Sequence, residues 1–303
     1  MELRQLRYFV TVAEEANFTR AAAKLHLAQP GLSAQIRQLE RELGQPLLDR
    51  SSRSVTLTPV GAAVLPLARA ALAAAGQITH TVDEFTGLLR GQVRVGLVSG
   101  AAIDELDVAS VLADFHQDHP QVAISLTEDT SDRMLAAVAH GELDIAMVGL
   151  TGAELDPSIG VDVVLETGIV AAVAAGDTDF GPELGLAELC KHPLICLPPG
   201  TGLRGQLERA CAAADVVPDI AFEAAAPPLL LRLAARGLGV AVVPTLRPGD
   251  AAAFGVRQVE ITPELRGQLA LTWRADRPTA PASKVLLGQL RIALTTQWKK
   301  PTP

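Results

Sequence analysis

Gln29, Ser33, Gln35, Arg37 and Arg41 are the residues in this chain whose types and spacing most readily do recognition chemistry. They interleave with Leu32, Ile36, Leu39 and Leu43, which recur at steps of four, three and four and so share one stripe of a helix. The opposite face then carries Gln29, Gly31, Ser33, Ala34, Gln35, Arg37 and Gln38. These are short or hydrogen-bonding groups with guanidinium charge close by. Such a face fits a major groove, where amide and guanidinium groups meet base edges and a methyl group meets a thymine methyl. Ala34 offers only apolar contact, which leaves Gln29 and Gln35 as the better base readers. An ordinary amphipathic surface helix would show the same stripe, so neighbouring elements have to decide.

Those elements are ordered for the task. Pro30 suits a first helical turn and Gly44 a left-handed cap. Upstream, Thr19 reads as the N-cap of a short helix carrying Ala21, Ala22 and Ala23, small enough for close helix crossing. A first helix spans about 2–15, burying Leu6, Phe9, Val10 and Ala13. Downstream, Arg50 and Arg53 flank a Ser-Ser turn before Val55 and Leu57 alternate with Thr56 and Thr58, the pattern of a two-stranded wing with cations at its tip.

Thr58-Pro59 then opens a new helix. From it Val60, Val64, Leu67, Ala71, Ala74, Ile78, Val82, Phe85 and Leu89 recur at steps of three and four. This seam is about 30 residues long, or roughly 45 Å, too long to be buried on one small domain. A second copy of the helix is the expected cover, with Pro66 an expected kink.

From Gln92 the period shifts between two and 3.6. The order strand, helix, strand, helix, buried strand (143–149) implies a parallel sheet covered by helices. A second set follows: strands at 168–176 and 193–197, helices near 203–214 and 228–236, a strand at 239–244, late strands at about 256–260 and 268–274, and a helix near 282–298. Ligand sites in such sheets lie beyond strand C-termini. The loops there hold Ser99, Gly100 and Ala101, Thr127 through Ser131, Gly149, and Gly200, Thr201 and Gly202.

Composition narrows the function classes. The 303 residues are 49% hydrophobic and 20% charged, as in folded domains. The net charge of −8 argues against nucleic-acid binding until it is divided by region. Residues 1–58 carry eight basic against six acidic groups, 59–90 are balanced, and 91–303 carry 16 against 26. Only the amino end is basic. MELRQLRYFV has no apolar core of an export signal, and no uncharged run is read as a membrane span. Cys190, Cys196 and Cys211 are odd in number and lack zinc spacing, which fits a reducing cytoplasm. No nucleophile–base pair, metal cluster or dinucleotide fingerprint is evident, so neither an enzyme nor a cofactor is expected. His80, His116, His119 and His140 read as surface or capping residues.

The run from Leu6 to Gly61, with FTRAA, AQPGLS, ELGQPLL and LT–G in order, resembles the winged helix-turn-helix of LysR-type transcriptional regulators. Leu48 departs from the usual Phe. LRGQVRVGL, GELDIAMVG and GLGVAVVP resemble the effector domain of that family. The resemblance implies an α/β protein with an N-terminal all-α winged helix-turn-helix (1–58), a linker and dimerisation helix (59–90), and a two-lobed effector domain like a periplasmic binding protein (91–303). Lobe I would be about 91–162 plus 267–303, and lobe II about 163–266.

It further implies a cytoplasmic transcription regulator that binds double-stranded operator DNA at inverted half-sites. The chain would form a homodimer through the linker and then a homotetramer, with RNA polymerase as a further partner and no membrane partner. Gln29, Pro30, Ser33, Ala34, Gln35 and Arg37 would face DNA, and Thr19, Arg20, Arg50 and Arg53 the backbone or wing groove. Ser99, Gly100, Thr130, Gly149, Thr201 and Gly202 would line the effector cleft, with Arg133 and Arg204 as the nearest cations. Family effectors are often small carboxylates or aromatics. A peroxide-sensing branch places two cysteines nine positions apart in the second lobe. Here Gly202 stands at the reactive position and Cys211 at the other, so that thiol chemistry is not expected. A solute-binding protein and an enzyme are the competing readings, which an export signal or a catalytic cluster would favour.

Overall fold

A computed structural model describes residues 1–50, 55–86, 89–98, 107–276 and 280–298. The chain divides into two compact units, Met1–Leu88 with His140–Glu142, and the remainder.

In the first unit α1 (Leu3–Glu15), α2 (Phe18–Lys24) and α3 (Gln29–Leu43) pack around Leu6, Phe9, Val12, Ala21, Leu32, Ile36 and Leu39, all nearly or fully buried. Three expectations are corrected here. Asn17, not Thr19, caps α2: its Oδ1 accepts the amides of Thr19 and Arg20 at 2.8 and 3.1 Å, so Thr19 lies within the first turn. Leu43 keeps to the same stripe but is 40% exposed, because it lies beyond Leu39, the last buried residue of α3, and Ala13 is only half-buried. Gly44 ends α3 at φ +71°, the left-handed cap its type suggests.

The wing is β1 (Leu48–Asp49) antiparallel to β2 (Thr56–Leu57). Thr58 Oγ1 accepts the Gly61 amide at 2.9 Å and starts α4 (Pro59–Thr86), which continues through Pro66. A Cβ on Gly61 would stand 1.9 Å from the Leu47 carbonyl oxygen, so the wing base and α4 meet where only glycine fits. Val64, Leu65, Ala68, Ala71 and Leu72 pack on the helix-turn-helix core, whereas Leu67 (69%) and Ile78 (70%) are exposed. Of the expected seam residues, Val64 and Ala71 are thus covered within the chain, while Val60, Leu67, Ala74 and Ile78 are exposed. Pro59–Gly76 is long and apolar enough to cross a membrane by length and composition, although it carries Arg69 and Ala68 within it is buried in this core.

The second unit is built on one sheet of order β4-β3-β5-β11-β6-β10-β8-β9, with β7 beside β11. Its strands are β3 (Gly91–Leu97), β4 (Val122–Glu128), β5 (Ile145–Gly149), β6 (Ile159–Ala174), β7 (Glu183–Gly185), β8 (Leu194–Cys196), β9 (Ile220–Glu223), β10 (Val240–Pro244) and β11 (Val256–Arg274). Covering helices are α5 (Val108–Asp118), α6 (Ser131–His140), α7 (Leu186–Leu189), α8 (Gly202–Ala213), α9 (Pro227–Ala235), α10 (Pro248–Phe254) and α11 (Pro281–Trp298).

The sheet is mixed rather than parallel. β3–β4, β3–β5, β8–β9 and β8–β10 run parallel, but β6 and β11 pair antiparallel with each other and with β10 and β5. The two late strands expected near 256–260 and 268–274 are one strand, irregular between Glu260 and Leu265. Long β6 and β11 pass through both lobes, so lobe I gathers β3–β5 and lobe II β7–β10 on a shared spine. β5 is buried at every residue: Ile145 and Met147 enter one core, Ala146 and Val148 another on the opposite face. That two-sided burial is why it reads as a continuous apolar run.

Candidate nucleic-acid interface and inter-lobe cavity

On α3 Leu32, Ile36 and Leu39 of the apolar stripe are fully buried, while Gln29, Pro30, Gly31, Ala34, Arg37 and Gln38 are exposed, and Ser33 and Gln35 half-buried. Ala34, Arg37 and Arg41 line an open groove with Gln45 and Pro46. No residue in the first two turns of α3 is acidic, so the exposed face stays neutral to cationic up to Arg37.

The cations around this face are not equivalent. The Arg20 guanidinium donates to the Glu15 carbonyl oxygen and lies 3.7 Å from its carboxylate. Arg50 is paired with Glu40 at 2.7 Å and sits over the Phe18 ring at 5.1 Å, so it also braces the wing. Glu40 Oε1 accepts the Leu47 and Leu48 amides at 3.0 and 3.1 Å. One carboxylate therefore ties the end of the recognition helix to the wing base, a role that the sequence reading missed because Glu40 looks like any polar position. Arg53 lies outside the described residues.

In the second unit a cavity of about 370 Å³ opens between the lobes. Thr130, Gly149, Thr201 and Gly202 all line it, so four of the six expected residues converge; Ser99 and Gly100 lie outside the described residues. Ser131 is fully buried and its Oγ accepts the Gly149 amide at 3.0 Å. Thr201 stands at the N-cap of α8 without making a cap bond; its hydroxyl donates to the Pro198 carbonyl at 2.8 Å. The Asp132 amide donates to the Gly200 carbonyl across the lobes at 3.1 Å, and Gln206 Nε2 to the Leu150 carbonyl at 3.0 Å. The apolar walls, Leu197, Pro198, Leu203, Pro227, Pro244 and Leu269, were not singled out in the sequence, where they look like ordinary core.

The expected cationic candidates do not serve the cavity. Arg204 is 9% exposed, and its guanidinium is taken by Glu208 at 2.7 Å, Glu223 at 2.8 Å and the Leu197 carbonyl at 3.3 Å. Arg133 points to solvent and pairs with Asp129 at 3.5 Å. The cysteines are all buried in lobe II, with Cys190 and Cys211 sulfurs 3.4 Å apart. Burial pushes the Cys196 and Cys211 thiols up to about 12. Among the described residues no group of three potential ligands could hold a metal ion.

An all-α winged reading head and a two-lobed domain with a small-molecule cavity together define a ligand-responsive DNA-binding regulator. The chain matches the family model of the bacterial regulatory helix-turn-helix protein, lysR family, over residues 3–62, and that of the LysR substrate binding domain over 86–295. It is 33% identical over 247 residues to the uncharacterized HTH-type transcriptional regulator YnfL of Escherichia coli (strain K12), covering 80% of this chain and 82% of that protein. A full-length OxyR variant from Pseudomonas aeruginosa superposes with a TM-score of 0.67 at 25% identity, over 100% of this chain and 99% of that one. Full-length CbnR in complex with its target DNA gives 0.61 at 24% identity, over 97% and 100%. The chain belongs to the LysR family of DNA-binding transcriptional regulators, with an N-terminal helix-turn-helix and a C-terminal substrate-binding effector domain.

Proposed function

We propose that α3 is the element that reads sequence. Gln29, Pro30, Ser33, Ala34, Gln35 and Arg37 enter the major groove, while Thr19, Arg20, Arg50 and Arg53 engage the phosphate backbone or the adjacent minor groove. The observation that carries this is the division of α3 into a buried Leu32, Ile36 and Leu39 stripe and an exposed amide, small-residue and guanidinium face. CbnR, of the same fold, was determined on its target DNA, which supports the same use here.

The cavity between the lobes is the effector site, with Thr130, Ser131 and Thr201 as its polar groups; Ser99 and Gly100, outside the described residues, complete the proposed set. Effector binding changes regulation by favouring one arrangement of the assembled chains over another. Residues 1–58, 59–90 and 91–303 act as reading head, linker and regulatory domain. The exposed Leu67 and Ile78 of α4 are covered by a second copy, and two such dimers make a tetramer. The site of action is the cytoplasm, and the role is regulatory rather than catalytic. Thermal-shift screening of the full chain against metabolites tests the cavity. A saturating ligand at about 100 times its Kd adds about 2.7 kcal/mol, and Thr201→Val and Thr130→Val, made as two separate variants, each abolish the shift. A shift retained in both variants moves the site elsewhere.

A further inference from the structure

Resting on the reading of α3 as the element that meets DNA, we infer that the groove at its carboxyl end seats the sugar–phosphate backbone of one DNA strand. Arg41 is its phosphate contact and Gln45 the hydrogen-bonding neighbour. The groove is open, holds about 840 Å³, and runs between Ala34, Arg37 and Arg41 of α3 and the turn Gly44, Gln45 and Pro46. Ala34 and Arg37 also belong to the exposed reading face, so groove and face form one continuous surface.

Charge selects the occupant. Several cations of the reading head are engaged by carboxylates: Arg20 and Lys24 by Glu15, Arg50 by Glu40, and Arg69 by Glu14. Arg37 and Arg41 are exposed and have no carboxylate partner among the described residues. Arg41 Nε donates to the Arg37 carbonyl at 3.3 Å, which leaves its two terminal nitrogens as unused donors, the pair that can grip a phosphate as a fork. Glu40, the one acid in the lining, is already satisfied by the Leu47 and Leu48 amides and by Arg50. Glu42, the acid next to Arg41 in sequence, pairs with the Met1 amine and accepts from Gln38 at 3.2 Å.

The carboxyl end of a helix carries about half a unit of negative charge, which opposes a phosphate. Here the Gly44 and Gln45 amides take up the Arg41 and Glu40 carbonyls at 3.3 and 3.2 Å, and two unpaired guanidinium groups outweigh what is left. The exposed Gln45 side chain makes no hydrogen bond among the described residues, so its amide is a further donor. Distance favours phosphate over base. Arg41 lies eight residues beyond Ser33, about 12 Å along the helix, which is about the width of the major groove. With Ser33 at the base edges, Arg41 reaches the phosphate rim.

The parent, Arg41→Ala and Arg41→Lys are compared as full chains on the fragment upstream of the chain's own reading frame and on a scrambled duplex, from 50 to 300 mM salt. Arg41→Ala lowers affinity by the same factor on both duplexes and reduces the slope of log affinity against log salt by about 0.9 for each engaged reading head. Arg41→Lys restores the slope. Ethylation interference then locates the contact: one phosphate in each half-site that blocks the parent when ethylated no longer matters to Arg41→Ala, while guanine methylation interference is unchanged. An unchanged slope, with or without a lower urea midpoint, reduces Arg41 to a cation at a helix end and overturns the inference. A reduced slope with an unaltered ethylation pattern shows a charge acting at a distance and also overturns it. So does a loss confined to the native fragment, which marks a base contact. All three leave α3 as the sequence reader. A parent that binds neither duplex, or both equally, removes that reading and this inference with it.

Discussion

A Cβ placed on Gly202 would stand 2.6 Å from the Gly149 Cα, and one on Gly149 would stand 3.0 Å from the Gly202 Cα. The last residue of β5 in one lobe and the first turn of α8 in the other are thus in backbone contact beside the cavity. Neither position has room for a side chain. A side chain at 202, a thiol included, would run into the Gly149 main chain.

Gly202→Ala should therefore cost about 1–3 kcal/mol as overpacking against main chain that cannot yield like a side chain. In thermal unfolding this is a fall of roughly 2–10 °C for a unit of this size. A Tm unchanged within 1 °C would show that the lobes separate freely at this contact.

Glu40→Ala should destabilise the reading head by about 2–4 kcal/mol, because the Leu47 and Leu48 amides lose their acceptor and Arg50 its partner. Glu40→Gln keeps an acceptor oxygen and should lose less than half as much. Urea unfolding of the two variants separates the amide contribution from that of the ion pair; equal losses would refute this division.

Arg37→Ala should weaken DNA binding and reduce the slope of log affinity against log salt by about 0.9 if the guanidinium meets a phosphate. If it meets a base edge, affinity falls on the operator alone, by about 1–3 kcal/mol. Anisotropy titrations from 50 to 300 mM salt on operator and scrambled duplexes distinguish the two contacts, and an unchanged affinity on both duplexes removes Arg37 from the interface.

Exposed Leu67 and Ile78 predict self-association through α4. Leu67→Glu with Ile78→Glu should shift full-length protein toward monomer in sedimentation velocity at micromolar concentration. A sedimentation profile identical to that of the parent would place the interface elsewhere.

Burial raises the Cys196 thiol to about 12, above its ordinary value near 9. In the unfolded chain the thiol therefore loses its proton first. Between about pH 9 and pH 12 the native state holds more protons, so stability falls as pH rises through that window and is unaffected below it. Cys196→Ala should flatten the alkaline part of the stability profile, measured as Tm from pH 8 to 11. An equal slope in the parent and the variant would show that the thiol does not titrate on unfolding.

Local periodicity made the reading head legible. Leu32, Ile36 and Leu39 announce a buried stripe, and Pro30 and Gly44 bracket the helix. The same logic misplaced the α2 cap, because Asn17 and Thr19 are both capping types and only the backbone decides between them. In the effector domain the strands were readable but their partners were not. β6 and β11 span both lobes and pair antiparallel through residues 82 (Val256 with Ala174) to 115 (Arg274 with Ile159) positions apart, which local pattern does not encode. Thr130, Gly149, Thr201 and Gly202 were found from loop position. The commitment of Arg204 to Glu208 and Glu223 depends on tertiary contacts, and the sequence left it as an available cation.

The central claim is that α3 reads base edges. Its most direct measurement is retardation of the fragment upstream of the chain's own reading frame, against a scrambled duplex, at 0.15 M salt. The account predicts at least a roughly thousandfold preference for the native fragment. In Gln29→Ala with Ser33→Ala that preference collapses toward salt-dependent, sequence-independent binding. Equal retardation of both duplexes by the parent, or undiminished preference in the double variant, would contradict it.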